Sequence, residues 1–253
     1  MSKTNEDIKS ENPNIIHGRN AVIEALNSGR SLDKILIKEG DIEGSLRAVF
    51  SIAKERNIKI ERVAKKTLDT LSQAAHQGVV AFAPAVEYAV LEDIFKNARK
   101  KNEAPFIIIL NNITDPHNFG AIVRSAEAAG AHGIIIPNRR AVGITHTVEK
   151  TSAGAVNYIP IAKVPNISQT IDQLKKRNIW VAGADAGGRN YFKSDLKGPL
   201  AIVIGSEGEG LGQLIAKKCD FIVSIPMFGT INSHNASVAA SLIMYEAVRQ
   251  RMS

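Results

Sequence analysis

Three short stretches of the chain gather the residue types that do chemistry. The first is "NNITDPHNFGAIVRSAEAAG", residues 111–130. It opens a helix and places an arginine, Arg124, among alanines. A helix that only packs would carry leucine there, whereas a guanidinium can grip a phosphate with two parallel hydrogen bonds. Gly120 stands four residues before Arg124 and so shares its helix face. A bare glycine beside an arginine leaves room for a ligand backbone to approach. Asp115 or Asn118 can cap the helix, and Pro116 suits the turn into it. The alternative for Arg124 is a surface arginine paired with Glu127 at i+3.

The second stretch is "VIGSEGEGLG", residues 203–212, with glycines at 205, 208, 210 and 212. Backbone N–H groups in such a loop can line a ligand site. Its spacing is not the dinucleotide fingerprint, and it lacks the Lys-Ser/Thr pair of a P-loop. Glu207 and Glu209 sit among the glycines. Carboxylates repel phosphate, so the expected ligand has cationic or hydroxyl character. The alternative is a plain tight loop.

The third stretch is "IPMFGTINSHNASVAASLIMYEAVRQR". Asn232, Ser233, His234, Asn235 and Ser237 crowd the start of its helix, although one side chain suffices for a cap. The helix behind them carries an apolar face of Val238, Ala239, Leu242, Ile243 and Tyr245. An over-polar cap is the plainer reading.

Other reaction types find little support. There is no Gly-x-Ser-x-Gly elbow, no Cys/His spacing that would hold a metal, and a single cysteine, Cys219, with no histidine partner near it in sequence. The lone Trp180 falls in an expected strand and reads as core.

Stepping outward, 253 residues at 44% hydrophobic and 23% charged can bury a sizeable core. One cysteine excludes a disulfide framework. No apolar run reaches membrane-spanning length, and the polar start "MSKTNEDIKSENPN" reads as a disordered tail over residues 1–13 rather than a signal peptide. A cytoplasmic protein with no membrane partner is expected. The net charge is +7, with 13 Lys+Arg against 12 Asp+Glu in residues 1–90 and 19 against 13 in residues 91–253. That surplus points to a polyanionic partner such as nucleic acid, or to ordinary solubility.

Helix and strand alternate in two segments. Residues 14–86 read as a compact α/β unit: the helix "RNAVIEALNSG" closed by Gly29, then "DKILIKE", "IEGSLRAVFSIAKERN", "IKIERVA", "KTLDTLSQ" and "GVVAFA". Residues 87–104, with Lys96, Arg99, Lys100 and Lys101, read as a linker. Residues 105–253 form a longer α/β unit whose apolar strands "PFIIILNN" and "HGIIIP" flank the first helix, an order that implies a parallel sheet. Each of the three stretches follows a strand and precedes a helix, where open α/β sheets bind ligands.

Taken in order, the three stretches resemble the three motifs of the SPOUT-class methyltransferases, TrmH branch, over about residues 105–252. The N-terminal "IHGRNAVIEAL" is similar to the substrate-binding domain of the 23S rRNA (guanosine-2′-O-)-methyltransferases of that branch. The resemblance implies a deep trefoil knot in the C-terminal α/β domain, a ribosomal-protein-like RNA-binding α/β fold in the N-terminal one, a homodimer, and S-adenosylmethionine as methyl donor without a metal. It implies a ribose 2′-O-methyltransferase acting on ribosomal RNA, with a transfer-RNA ribose methyltransferase or a non-catalytic ribosome-assembly factor as the competing readings. Asn118 and Arg124 fall on the first motif's asparagine and arginine, Glu207 on the second motif's glutamate, and Ser233 and Asn235 on the polar pair of the third. Gly205, Ile225 and His234 fall where the family holds the donor, largely through backbone, and Met227 and Gly229 are expected beside them. His234 stands where the family usually has leucine.

Overall fold

The computed structural model describes residues 15–28, 32–41, 43–71, 75–83, 88–206, 208, 210–230 and 233–253. The expected tail at 1–13, Gly29, Glu207, Glu209 and Asn232 lie outside the described residues. The chain divides into two compact units, one of residues 1–86 with 144–146 and the other of residues 87–143 with 147–253.

The first unit runs β1 (Ile15–His17), α1 (Arg19–Asn27), β2 (Lys34–Lys38), α2 (Ser45–Glu55), β3 (Lys59–Val63), α3 (Lys65–Leu71) and β4 (Val79–Phe82). Its four-stranded sheet has the order β1-β4-β2-β3, with β2 and β3 parallel and the other pairs antiparallel. Side chains alternate across a strand. Ile35, Ile37, Val79 and Ala81 therefore face Val22, Leu26 and Val49 of α1 and α2, while Leu36 and Val80 turn to Leu68 of α3. Helices on both faces explain why "KILIK" keeps an apolar centre on each side.

The second unit contains a six-stranded, wholly parallel sheet in the order β10-β8-β9-β5-β6-β7. Its strands are β5 (Phe106–Leu110), β6 (Gly133–Pro137), β7 (Ile161–Val164), β8 (Trp180–Asn190), β9 (Leu200–Ile204) and β10 (Phe221–Ser224). Its helices are α4 (Leu91–Lys101), α5 (Pro116–Ala128), α6 (His146–Thr151), α7 (Ile167–Lys175), α8 (Gln213–Lys218) and α9 (Ala236–Arg251). Ile107, Ile109, Ile135 and Val203 pack with Ile94 of α4, Ile171 and Leu174 of α7 and Ile215 of α8. The alternate residues Ile108, Ile134 and Ile202 are equally buried and point the other way, the side covered by α5 and α9. Among the described residues no helix is long and apolar enough to cross a membrane.

The segment expected as a linker contains α4, and α4 is core. Ile94, Phe95 and Ala98 are buried, and Leu91 packs against the same cluster. Gly133 lacks the side chain that would meet Ile94, since a β-carbon there would lie 2.4 Å from Ile94 Cγ1. The run of basic residues that suggested a linker occupies only the outer face and the last turn of an amphipathic helix.

Candidate active site

Parallel strands bring all their carboxyl ends to one edge of the sheet, and the three chemistry-bearing stretches follow β5, β9 and β10 there. The loop after β5 ties them together. Asp115, not Asn118, caps α5, accepting from the N–H groups of His117 and Asn118 at 3.1 and 3.3 Å, with Pro116 at the first helical position. Asn118 is thereby free of capping duty and sits nearly buried in the first turn. Its Oδ1 accepts a 2.9 Å hydrogen bond from Asn235 Nδ2. Asn235 in turn caps α9, its Oδ1 accepting from Ser237 N at 3.0 Å and from Ser237 Oγ at 2.6 Å. Because that oxygen takes N–H groups, the amide nitrogen must be the one that faces Asn118. Further along the two helices the hydroxyls of Ser125 and Ser241 lie 2.8 Å apart.

The same loop holds the glycine-rich one. Asn111 N donates to Ile204 O at 2.8 Å, and Asn111 Nδ2 donates to Leu211 O at 3.1 Å. The glycine loop closes on itself through Gly210 N to Ser206 O, 3.0 Å. Gly205 is obligatory for that closure, since a β-carbon there would lie 2.1 Å from Gly210 O. Gly210 has φ +61°, a left-handed conformation that glycine adopts without strain. Asp185, in the middle of β8 just past its pairing with β9, fastens the far side by accepting from Leu211 N at 3.2 Å. The expected contributions of Glu207 and Glu209 lie outside the described residues.

The loops after β9 and β10, with the middle of β8 and the start of α9, surround a cavity of about 330 Å³; Asn118, Arg124 and Asn235 do not line it. Of the residues expected to hold the donor, Gly205, Ile225, Met227 and His234 line it and Gly229 does not; Ser233, expected in the catalytic set, lines it too. Asp185 lines it as well and was missed from sequence, where its only signal is an acid inside "GADAGG". Among the described residues the lining combines aliphatic side chains and glycines with Ser206, Ser224, Ser233, His234 and the Asp185 carboxylate, which suits a ligand that has an apolar body, hydroxyl groups and a cationic group. The volume falls at the lower end of the range for small-molecule sites, roughly 300–1,000 Å³.

Three expectations change. Gly120 does not clear a path for a ligand: a β-carbon there would lie 2.7 Å from Thr151 Cβ and 3.0 Å from Val148 O, so the glycine admits the α6 segment against α5. Trp180 is not core. It starts β8 but is 59% exposed, because its side of the strand end is not covered. The apolar face expected on α9 is divided: Ile243 is buried beside Ala240 and Met244, while Val238, Leu242 and Tyr245 are exposed. Arg124 is exposed, and among the described residues its guanidinium pairs with no acid, Glu127 included. Cys219 donates from Sγ to Ile215 O, and burial pushes its thiol up to about 11, which removes it as a nucleophile.

Residues 105–245 match the SpoU rRNA methylase family model, and residues 15–89 match the RNA 2′-O ribose methyltransferase substrate-binding model. The chain belongs to the SpoU family of RNA methyltransferases. SpoU-family relatives match it nearly end to end. YacO of Bacillus subtilis (strain 168), assigned to the TrmH family of tRNA/rRNA methyltransferases, is 50% identical over 96% of this chain and 98% of its own length. The SpoU methyltransferase AviRb of Streptomyces viridochromogenes, solved with AdoMet bound, is 28% identical, with TM-score 0.78 over 94% of this chain and 90% of that one. An AdoMet-bound rRNA methyltransferase of Sinorhizobium meliloti is 25% identical, with TM-score 0.77 over 94% and 88%. A TrmH/SpoU tRNA-modifying enzyme of A. aeolicus covers 63% of this chain and 84% of its own, at 28% identity and TM-score 0.55.

Proposed function

We propose that this SpoU-family enzyme is an S-adenosylmethionine-dependent ribose 2′-O-methyltransferase of ribosomal RNA, and that its target is a guanosine of 23S rRNA. The observation that carries the reading is the single cradle made by three distant loops: Asn111 to Leu211, Asn118 to Asn235, and the cavity beside them. The choice of ribosomal over transfer RNA is supported by extent. The rRNA-methylating neighbour from Sinorhizobium meliloti spans 94% of this chain, N-terminal unit included, whereas the tRNA-modifying one spans 63%.

Gly205, Ile225, Met227 and His234 are assigned to hold the donor, with Asp185 as the carboxylate that complements its cationic groups. S-adenosylmethionine supplies an electrophilic methyl group on a sulfonium. The chain's own residues have to orient the acceptor hydroxyl and stabilise the charge it develops. Arg124 is assigned to the phosphate beside the acceptor and to the developing alkoxide. A guanidinium stays protonated, so Arg124 is not the base; the neighbouring phosphate or a group of a partner subunit assists proton removal. Asn118, Glu207, Ser233 and Asn235 complete the catalytic set. The ribose hydroxyl is also what separates RNA from DNA at such a site.

The exposed stripe Val238, Leu242 and Tyr245 on α9 is assigned to a homodimer interface. The trefoil knot implied by the motifs belongs to the same reading. The test is incubation with labelled donor and separate rRNA and tRNA pools, followed by mapping of ribose-methyl stops. Label at one ribose of the large-subunit RNA is expected. Label confined to tRNA overturns the substrate assignment, and RNA binding with no label at all overturns catalysis.

A further inference from the structure

The loop between β6 and α6, "NRRAVGIT", takes no part in the cradle, yet it is held beside it. Two backbone hydrogen bonds tie its first five residues: Asn138 N donates to Val164 O at 2.8 Å, and Val142 N donates to Ile113 O at 3.1 Å. Ile113 belongs to the same β5–α5 loop that carries Asp115 and leads to Asn118. The α6 segment that follows is seated on α5 through the absent side chain of Gly120.

Between the two ties stand Arg139 and Arg140. Both are exposed, and among the described residues neither side chain pairs with an acid or makes a hydrogen bond. Arg140 has φ +58°, where glycine or asparagine would be the easy choice. An arginine in that conformation, between two backbone ties, suggests a use for its charge. Across the carboxyl edge of the sheet the order is the cavity at β8, β9 and β10, then the loop after β5 that leads to Asn118, then this pair after β6. The carboxyl end of β6 is one strand, about 5 Å, from that of β5. Arg139 and Arg140 therefore stand on the side of the β5–α5 loop that is away from the cavity.

The geometry points to Arg139 and Arg140 as a phosphate clamp, which holds the RNA backbone on the side of the acceptor nucleotide away from the donor cavity. The inference rests on the RNA-methyltransferase reading above and adds a positioning site to it. A guanidinium fork matches phosphate geometry, and two such contacts leave a defined trace in salt dependence.

The experiment compares wild type, Arg139→Ala/Arg140→Gly and Arg139→Lys/Arg140→Lys in full-length protein. Glycine at 140 accepts the positive φ, so the first double variant removes charge without straining the loop. RNA affinity is measured across a salt series, and donor affinity by calorimetry. With about 0.7 counterions released per single-strand phosphate, losing two contacts makes the log–log salt slope shallower by roughly 1.4. Affinity at low salt falls about tenfold or more. Donor affinity is unchanged, and the lysine pair keeps the wild-type slope. Wild-type slope and affinity in the Ala/Gly variant overturn the clamp, and so does weaker RNA binding with the slope unaltered, which marks damage to the fold. If wild type methylates tRNA instead of rRNA, only the substrate assignment fails; the same slope difference is then required on tRNA, and its absence overturns the clamp.

Discussion

Asn235 Nδ2 donates to Asn118 Oδ1 across 2.9 Å and 117 residues of sequence, joining the first turn of α5 to the cap of α9. Asn235 does two jobs there, since its Oδ1 also caps α9. A double-mutant cycle of Asn118→Ala and Asn235→Ala should therefore be non-additive, with a coupling of roughly 0.5–3 kcal/mol in urea unfolding. Asn235→Ala alone costs about 1 kcal/mol more than the pairwise bond through the lost cap. Strict additivity would show that the two amides do not communicate.

Arg124 is assigned to charge stabilisation in the transition state. Arg124→Ala should lower kcat by about 10²–10³-fold and leave donor affinity intact. Arg124→Lys should not rescue it, because an ammonium lacks the fork that engages two oxygens. A lysine variant that retains most of the rate contradicts the role.

Gly120→Ala tests packing against ligand clearance. The new methyl meets Val148 O, Thr151 Cβ and Ser152 N within 3.1 Å, two of them backbone atoms that cannot rotate away. Destabilisation of about 1–3 kcal/mol is expected, read as a lowered Tm. At temperatures where the variant is folded, RNA affinity should match wild type. The opposite pattern, unchanged Tm with weakened RNA binding, would restore the clearance reading.

His132 predicts a pH dependence. It is fully buried, its Nδ1 accepts from Phe106 N at 2.9 Å, and its Nε2 lies 3.1 Å from Glu103 Oε2. The neutral ring thus carries its proton on Nε2. Burial, helped by the charge of Lys101, holds its pKa below the ordinary histidine value, against the opposing pull of Glu103. The unfolded chain takes up a proton near pH 6.5 while the folded one does so only at lower pH. Its contribution is therefore fully present above about pH 6.5 and is lost as pH falls from there toward the depressed folded value. Urea midpoints should drop between about pH 7 and pH 5, and more shallowly in His132→Gln. An equal drop in both proteins would assign the effect elsewhere.

How far the site was legible depended on whether a residue acts through its neighbours in sequence or across the fold. Capping chemistry and apolar runs are local, so the alternation of strands and helices and the three loops could be read directly. Residues 87–104 look like a linker because Lys96, Arg99, Lys100 and Lys101 dominate locally, whereas the burial of Ile94 depends on the bare Gly133 of β6, far away in sequence. Gly120 was misread for the same reason, its partners being 28 to 32 residues away. Asp185 carried almost no local signal; its meaning comes from Leu211 on a neighbouring loop. Trp180 has strand composition around it, but exposure at a strand end is decided by what the fold leaves uncovered.

The central claim is that the loops after β9 and β10, braced by the loop after β5, close into one donor site, and Gly205 is where that closure is tightest. The most direct measurement is calorimetric titration of wild type and Gly205→Ala with S-adenosylhomocysteine. The account predicts saturable binding to wild type and none to a variant that remains folded, because its added methyl would stand 2.1 Å from Gly210 O. Absence of heat with wild type, or undiminished binding by the folded variant, contradicts it.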